Sequence, residues 1–212
     1  MLPYNLQPTT YNLQPMISAS DVMKLREATG AGLMEAKGAL TEANGDMEKA
    51  ADILRKTGAA KVAKKAERTT SEGRVHAYAH TNGKLAVLVE VMCETDFVAR
   101  NEQFVNFCAD LAMHIAASAP RYVTRDQVPA DVVEKERAIV TEMLAAENKP
   151  ADIVAKIVDG RMNKFFADMC LMEQMFVKDD SITITQLLEE KVRTIGEAIR
   201  IGRFVRMQLG AE

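Results

Sequence analysis

The chain has 212 residues, 48% of them hydrophobic and 27% charged, and its 27 basic and 30 acidic side chains leave a formal net charge of −3. This composition is typical of a globular protein with room for one good-sized core and a small satellite, and it argues against a general nucleic-acid binder, whose surface must neutralise several phosphates. No apolar run approaches the roughly 18 residues that span a bilayer, and three cysteines outside any CxxC spacing favour a reducing, cytoplasmic compartment.

The N-terminus contains a duplication, in which residues 4–8 (YNLQP) are repeated as residues 11–15. The segment is uncharged and contains spaced prolines, so we predict that residues 1–15 form a disordered extension. A short recognition arm is the alternative.

Residues 16–58 carry the signals of three short helices. Ser18 and Asp21 have the spacing of a helix N-cap, and Gly30 ends the apolar pattern that follows. A second helix is predicted over residues 33–43, and a third ends at Gly58, which has the character of a C-cap glycine. Because three helices of this length bury little apolar surface, we expect a docking module attached to a larger domain.

Residues 59–73 form the next segment, rich in alanine and lysine, which favour helix. We predict a semi-rigid linker helix here, as far as about Arg68. A phosphate-binding arm is the alternative, although no aromatic residue is interleaved for base stacking.

A β-hairpin is predicted from Arg74 to Cys93. Asn82 and Gly83 lie between two β-rich runs and are typical of a type I′ turn, which requires positive φ at both positions. This turn would pair residue 76 with residue 89 and residue 78 with residue 87. Because both faces carry apolar residues, we expect the hairpin to lie between helices or against a partner.

The remainder of the chain is predicted to be largely helical. Apolar residues recur at helical spacing over residues 102–118, from Pro129 to about Glu147, from Pro150 to Cys170, and over residues 185–195. The tail alternates and predicts a third strand that pairs with the hairpin. One side of this strand is expected to carry Ile199, Ile201, Val205, Met207 and Leu209.

The residues that could perform chemistry are few. His76 and His80 have the spacing of metal ligands on a helix, but on a strand they would stand about 13 Å apart, too far for one ion. Cys93 could act as a nucleophile only with a nearby base, which the local sequence does not supply. Local motifs for phosphate cradling, dinucleotide binding and acyl transfer are lacking. We therefore expect no bond-making activity, no cofactor and no metal site.

The most unusual segment is the predicted strand-to-helix corner at residues 93–101, CETDFVARN. If the corner is exposed, Phe97 is a candidate interface anchor and Asp96 delivers a charge to the same place. The alternative is that Phe97 packs beneath the next helix while Asp96 caps it.

With these residues in view, the chain from Met16 to its end resembles bacterial translation elongation factor Ts. The matching motifs are TGAG at residues 29–32, LVEVMCETDFVARN at residues 88–101, GRMNKFF at residues 160–166 and CLMEQMFVKD at residues 170–179. Three residues depart from the usual pattern of the family, namely Ala36, Met92 and Met175. None of them falls within TDFV.

The resemblance implies an α+β fold: an N-terminal three-helix, ubiquitin-associated-like bundle, a linker helix, and a core over residues 74–212 in which helices pack with a three-stranded antiparallel sheet. It also implies a guanine nucleotide exchange factor that binds elongation factor Tu carrying GDP and speeds GDP release. The segment that dislodges the partner's Mg²⁺ would be Thr95, Asp96, Phe97 and Val98.

The resemblance further implies a docking contact of the N-terminal bundle through Arg26, Leu33 and Met34. The chain resembles the short form of the family, which is expected to complete its core as a homodimer. The functional alternative is a passive interaction module that binds a partner without changing its nucleotide release.

Overall fold

The computed structural model of the chain describes residues 17–145 and 150–211, so the predicted extension over residues 1–15 lies outside the described residues. The chain divides into two compact units, of which the first ends at Lys61 and the second begins at Val62. Short 3₁₀ helices occupy Arg125–Gln127 and Leu171–Glu173. In chain order the other elements are α1 (Ala19–Thr29), α2 (Leu33–Glu42), α3 (Met47–Ala66), β1 (Glu72–Ala79), β2 (Leu85–Cys93), α4 (Asp96–Arg100), α5 (Glu102–Ser118), α6 (Ala130–Ala145), α7 (Ala151–Met169), β3 (Met175–Phe176), β4 (Asp179–Thr183), α8 (Ile184–Ile195) and β5 (Ile199–Gln208).

The first unit forms a small helical core of its own. The Ser18 hydroxyl accepts the Asp21 N–H at 3.1 Å, so Ser18 is the N-cap of α1, as its spacing predicted. Gly30 ends that helix in the left-handed conformation, at φ 65°, where glycine avoids the steric penalty of a side chain. The buried residues of the unit are small and aliphatic, namely Val22, Leu25, Ala36, Ala39, Leu40, Ala43 and Ala50.

The prediction that the third helix ends at Gly58 is wrong. Helix α3 runs without a break to Ala66, so its last turns take the place of the linker helix, and residues 67–71 are not helical. A glycine inside a helix costs about 1 kcal/mol. The surrounding alanines and lysines favour the helix and offset this cost, as does the packing of Val62 against the core of the second unit. The Arg200 guanidinium donates to the Ala66 carbonyl and satisfies the end of the helix.

The second unit is built on an antiparallel sheet of strand order β1-β2-β5. The predicted hairpin register is confirmed, since His76 pairs with Val89 and Tyr78 pairs with Val87. The predicted type I′ turn is wrong, because Gly83 has positive φ but Asn82 does not. Instead the Gly83 N–H donates to the His80 carbonyl, and the Asn82 side chain accepts the Lys84 N–H at 2.9 Å. This longer loop leaves the register unchanged.

A β-bulge changes which side chains of β5 share a face. Val91 pairs with Ile201, but Val89 pairs with Phe204, so one extra residue of β5 lies between these pairs. The prediction that Ile201 and Val205 lie on the same side is therefore wrong. Ile199, Ile201 and Phe204 pack against the core, whereas Val205, Met207 and Leu209 are exposed.

The main core lies between the inner face of this sheet and the helices of the second unit. Helix α5 has the predicted bounds and is strongly amphipathic, with Phe104, Phe107, Leu111 and Ile115 all buried. Helices α6 and α7 share a separate apolar cluster that includes Val140 and Met162. Glu147, where α6 was predicted to end, lies outside the described residues.

The last part of the second unit contains a two-stranded sheet, β3-β4, that the sequence pattern did not predict. Helix α8 begins at Ile184, one residue before the predicted start at residue 185, because Thr183 and Gln186 form a capping box at its N-terminus. Gly196 ends α8, as predicted, in the left-handed conformation. The predicted α+β class, with a three-stranded antiparallel sheet and packed helices, is confirmed.

Candidate functional site

The strand-to-helix corner predicted from the sequence is present, and two successive helix caps shape it. Strand β2 ends at Cys93, and Thr95 is the N-cap of the short helix α4, with its hydroxyl accepting the Val98 N–H at 3.4 Å. Asn101 ends α4 and caps α5 in turn, since its side chain accepts the Gln103 N–H at 2.8 Å. The chain direction at residues 95–101 is therefore set by side-chain hydrogen bonds to the backbone.

Phe97 projects from this corner with 84% of its surface exposed. Asp96 is partly exposed and forms an ion pair with Arg100 at 2.9 Å, one helical turn later. The alternative, in which Phe97 packs beneath the next helix and Asp96 caps it, is wrong, because the helix caps are Thr95 and Asn101. A large aromatic ring left in solvent marks a candidate contact surface.

Thr95 and Val98 point the other way. Val98 packs against the main core, and Ala99 beside it is buried. The Thr95 hydroxyl donates to Glu197 Oε1 at 2.7 Å and accepts the Val98 N–H. The structure thus divides the predicted segment into two outward residues, Asp96 and Phe97, and two that hold it in place.

Two glutamates that sequence reasoning missed join this corner to the start of β5. Glu197 Oε2 accepts the backbone N–H groups of Glu94 and Thr95, both at 3.1 Å. In return, the Glu94 carboxylate accepts the Ala198 N–H at 2.7 Å and forms an ion pair with Arg68 at 3.2 Å. The Ala198 N–H, followed by Arg68, lowers the pKa of Glu94. More than 100 residues separate the two glutamates, so no local pattern could have paired them.

Cys93 is not placed as a nucleophile. It is buried, and its Sγ donates to the Thr95 carbonyl oxygen at 3.2 Å. Burial, followed by the nearby Glu197 carboxylate, raises the pKa of Cys93 and keeps the thiol protonated. The interpretation of Cys93 as a small buried apolar residue fits this environment.

The residues predicted to dock the first unit flank the turn between α1 and α2. Arg26 is exposed in the last turn of α1, and Leu33 and Met34 are exposed at the start of α2. Met34 has 74% of its surface in solvent. Two hydrogen bonds hold this turn: the Gly30 N–H donates to the Arg26 carbonyl at 2.8 Å, and the Gly32 N–H donates to Glu35 Oε2 at 3.4 Å.

Several basic side chains of residues 59–73 form hydrogen bonds or ion pairs with other residues of the same chain. Lys65 donates to the Val192 carbonyl at 3.2 Å, and Arg68 binds Glu94. Lys61 forms an ion pair with Glu35. These contacts favour the interpretation of a structural helix over that of a phosphate-binding arm.

Residues 17–145 and 150–211 offer neither a cluster of metal-ligating side chains nor a membrane-spanning helix. No group of three or more His, Cys, Asp and Glu side chains there could hold a metal ion. Within the same stretches, none of the helices combines the length and apolar character required to cross a bilayer.

The fold and the corner define a class: an α+β protein, with a small helical unit at its N-terminal end, that offers an aromatic contact at a braced strand-to-helix junction. The sequence model of the family described as elongation factor TS matches residues 22–211. The chain is 57% identical over 194 residues to elongation factor Ts of Geobacter metallireducens, covering 92% of this chain and 90% of that protein. It is 54% identical over 194 residues to elongation factor Ts of Fervidobacterium nodosum, covering 92% and 98%, and 56% identical over 195 residues to that of Acetivibrio thermocellus, covering 92% and 91%.

The chain therefore belongs to the elongation factor Ts family, and its role is that of a translation elongation factor.

Proposed function

We propose that this protein is a guanine nucleotide exchange factor that binds elongation factor Tu carrying GDP and accelerates GDP release. The observation that carries the proposal is the corner at residues 94–98, where Phe97 is exposed while Val98 packs against the core and Thr95 is bound by Glu197. A rigidly mounted apolar ring can enter a partner at little cost in conformational entropy.

The proposed mechanism needs no covalent step. In a nucleotide-bound GTPase, Mg²⁺ bridges the protein and the phosphates and neutralises their charge. Insertion of Phe97, with the Asp96 carboxylate beside it, would disturb the coordination shell of the partner's Mg²⁺ and weaken GDP binding. By thermodynamic linkage, GDP then weakens binding of the factor by the same ratio, so an excess of GTP completes the cycle.

The first unit supplies a second contact. Arg26, Leu33 and Met34 present a cation and two apolar side chains around one hydrogen-bonded turn, a combination suited to docking on a protein surface. We assign them to binding of the GTPase domain of elongation factor Tu. Two contacts on one chain raise the effective concentration of each, which increases overall affinity.

The factor is further proposed to act as a homodimer. The outer face of the sheet leaves Val75, Leu88, Val205 and Met207 in solvent, and Leu88 pairs directly with Val205 across the strands. An apolar sheet face of this kind is suited to self-association with a second copy.

We place the protein in the cytoplasm, in keeping with its three free cysteines, and assign it no enzymatic bond chemistry.

The experiment that tests the exchange function is stopped-flow release of fluorescent GDP from elongation factor Tu. Wild-type protein is expected to accelerate release, and Phe97→Ala is expected to lose most of the acceleration while unfolding at the wild-type temperature. Ile139→Ala, which shortens another exposed apolar side chain of the second unit, is the matched control. If wild-type protein binds the partner but leaves the release rate unaltered, the chain is a passive interaction module and the proposal fails.

A further inference from the structure

Glu197 forms hydrogen bonds with residues 94 and 95, close to the exposed ring of Phe97. Glu197 follows Gly196, which ends α8, and lies two residues before Ile199, where β5 begins. Its carboxylate accepts three hydrogen bonds from the corner, two from backbone N–H groups at 3.1 Å and one from the Thr95 hydroxyl at 2.7 Å. Hydrogen bonds to an ionised carboxylate are stronger than those between neutral groups.

These three bonds act at the point where the backbone changes direction. The N–H groups of Glu94 and Thr95 follow the last pair of the β1-β2 ladder, in which Cys93 pairs with Glu72. Without Glu197 these N–H groups would lose their hydrogen-bond acceptor. The Thr95 hydroxyl, which caps α4, would also lose the carboxylate to which it donates. Phe97 follows Thr95 by two residues, so a shift of Thr95 moves the ring.

The Thr95 hydroxyl has both its donor and an acceptor function engaged within the chain. It donates to Glu197 and accepts the Val98 N–H. This leaves it little capacity for a partner and indicates a supporting role.

We propose that Glu197 is a positioning residue, which acts through Thr95 to hold residues 95–98 so that Phe97 projects in one direction. The consequence for nucleotide exchange rests on the proposed function above. In this role Glu197 acts through the corner and not through a contact of its own with the partner, so its loss is expected to lower the rate of nucleotide release from the complex more than it weakens formation of the complex. Thr95 belongs with Glu197 in this supporting role, whereas Phe97 makes the contact.

The first test measures the position of the corner without any partner. Amide hydrogen exchange is followed by NMR in wild-type protein, Glu197→Ala and the control Glu189→Ala, which removes an exposed carboxylate from α8. Loss of a charged acceptor is expected to make the amides of residues 94 and 95 exchange about tenfold faster. The amide of Val89 in the sheet interior is expected to stay protected in all three proteins. Wild-type protection of residues 94 and 95 in Glu197→Ala would overturn the proposal.

The second test measures exchange as a function of factor concentration. Glu197→Ala is expected to lower the maximal rate of GDP release about tenfold, because small misplacements of an acting group cost rate steeply, while the half-saturating concentration changes little. Glu197→Gln is expected to restore most of the rate, since its amide oxygen can accept both N–H groups and the Thr95 hydroxyl can rotate to accept from the amide. Thr95→Val is expected to resemble Glu197→Ala and serves if the alanine variant unfolds.

The possible outcomes separate the two proposals. If wild-type protein accelerates release and Phe97→Ala does not, but Glu197→Ala and Thr95→Val reach the wild-type maximal rate, the positioning role is refuted and the exchange function stands. If wild-type protein fails to accelerate release, the exchange function is refuted, and amide exchange at residues 94 and 95 still decides whether Glu197 holds the corner.

Discussion

His114 Nε2 and Gln174 Oε1 lie 3.0 Å apart in the interior of the second unit, on α5 and on the segment that precedes β3. The Val177 N–H donates to His114 Nδ1 at 3.2 Å, so Nε2 carries the ring proton and donates to Gln174. Gln174 in turn donates to the Asp168 carbonyl at 2.8 Å. One neutral imidazole therefore connects α5 with the turn that follows β3 and, through Gln174, with α7.

This contact makes stability depend on pH. Burial lowers the pKa of His114, while its hydrogen bond to Gln174 opposes the shift in part. Below about pH 6.5 the unfolded chain binds a proton at this site more readily than the folded chain does, so the free energy of unfolding falls as the pH is lowered. This contribution is present above that pH and is lost on acidification.

We therefore expect His114→Asn to be less stable than wild type at pH 7.5 but to lose less stability between pH 7 and pH 5. One proton contributes a slope of at most about 1.4 kcal/mol per pH unit. Urea unfolding at a series of pH values measures this, with Ile115→Val on the same helix as a control that lowers stability without removing a titratable group. Parallel curves for wild type and His114→Asn would contradict the assignment.

Gly73 is expected to resist substitution. Its φ is +152°, and an added Cβ would lie 2.3 Å from the Val91 carbonyl oxygen and 2.8 Å from the Met92 Cα. Both are backbone atoms that cannot move aside cheaply, so Gly73→Ala should cost about 2 kcal/mol or more. Gly83→Ala is the matched control, because Gly83 has φ +67° but open space around it, and it should cost only about 1 kcal/mol. If urea unfolding shows that Gly73→Ala and Gly83→Ala lower the free energy of unfolding equally, the close approach of Gly73 to the backbone of β2 is contradicted.

The first unit should govern affinity for the partner rather than the maximal rate of exchange. Met34→Ala and Arg26→Ala are expected to raise the half-saturating factor concentration for GDP release, by about tenfold for a residue at an interface hot spot. The control is Met23→Ala, another exposed methionine of the same unit, on α1. An unchanged half-saturating concentration in both test variants would remove these residues from the docking surface.

The outer face of the sheet should control the oligomeric state. Light scattering is expected to give wild-type protein a mass twice the 23.4 kDa of one chain. Val205→Glu and Met207→Glu should each shift the protein toward the single-chain mass, because an unpaired charge is costly at an apolar interface. Ile153→Glu adds the same charge at an exposed apolar position on α7 and should leave the dimer intact. A wild-type mass of one chain would refute self-association through this face.

Several elements could be predicted from local sequence because they depend on neighbouring residues. The cap at Ser18, the ends of α5 and the hairpin register all follow from short-range spacing, and the structure contains each of them. The end of α3 could not be predicted in this way, since Gly58 is a weak local stop signal and the helix is completed by Arg200, which comes from β5. Val205 lies on the outer face of the sheet because of a β-bulge, and this bulge forms only when β5 pairs with β2.

The candidate site shows the same division. By itself the sequence determined that an acid and an aromatic ring lie side by side after a strand, and its motifs indicated the family, because both are properties of consecutive residues. Only the tertiary structure decided that Phe97 is left in solvent while Val98 is packed in the core. It also decided that Glu197 supports the corner, because that contact forms only when β5 pairs with β2 and brings together residues more than 100 positions apart.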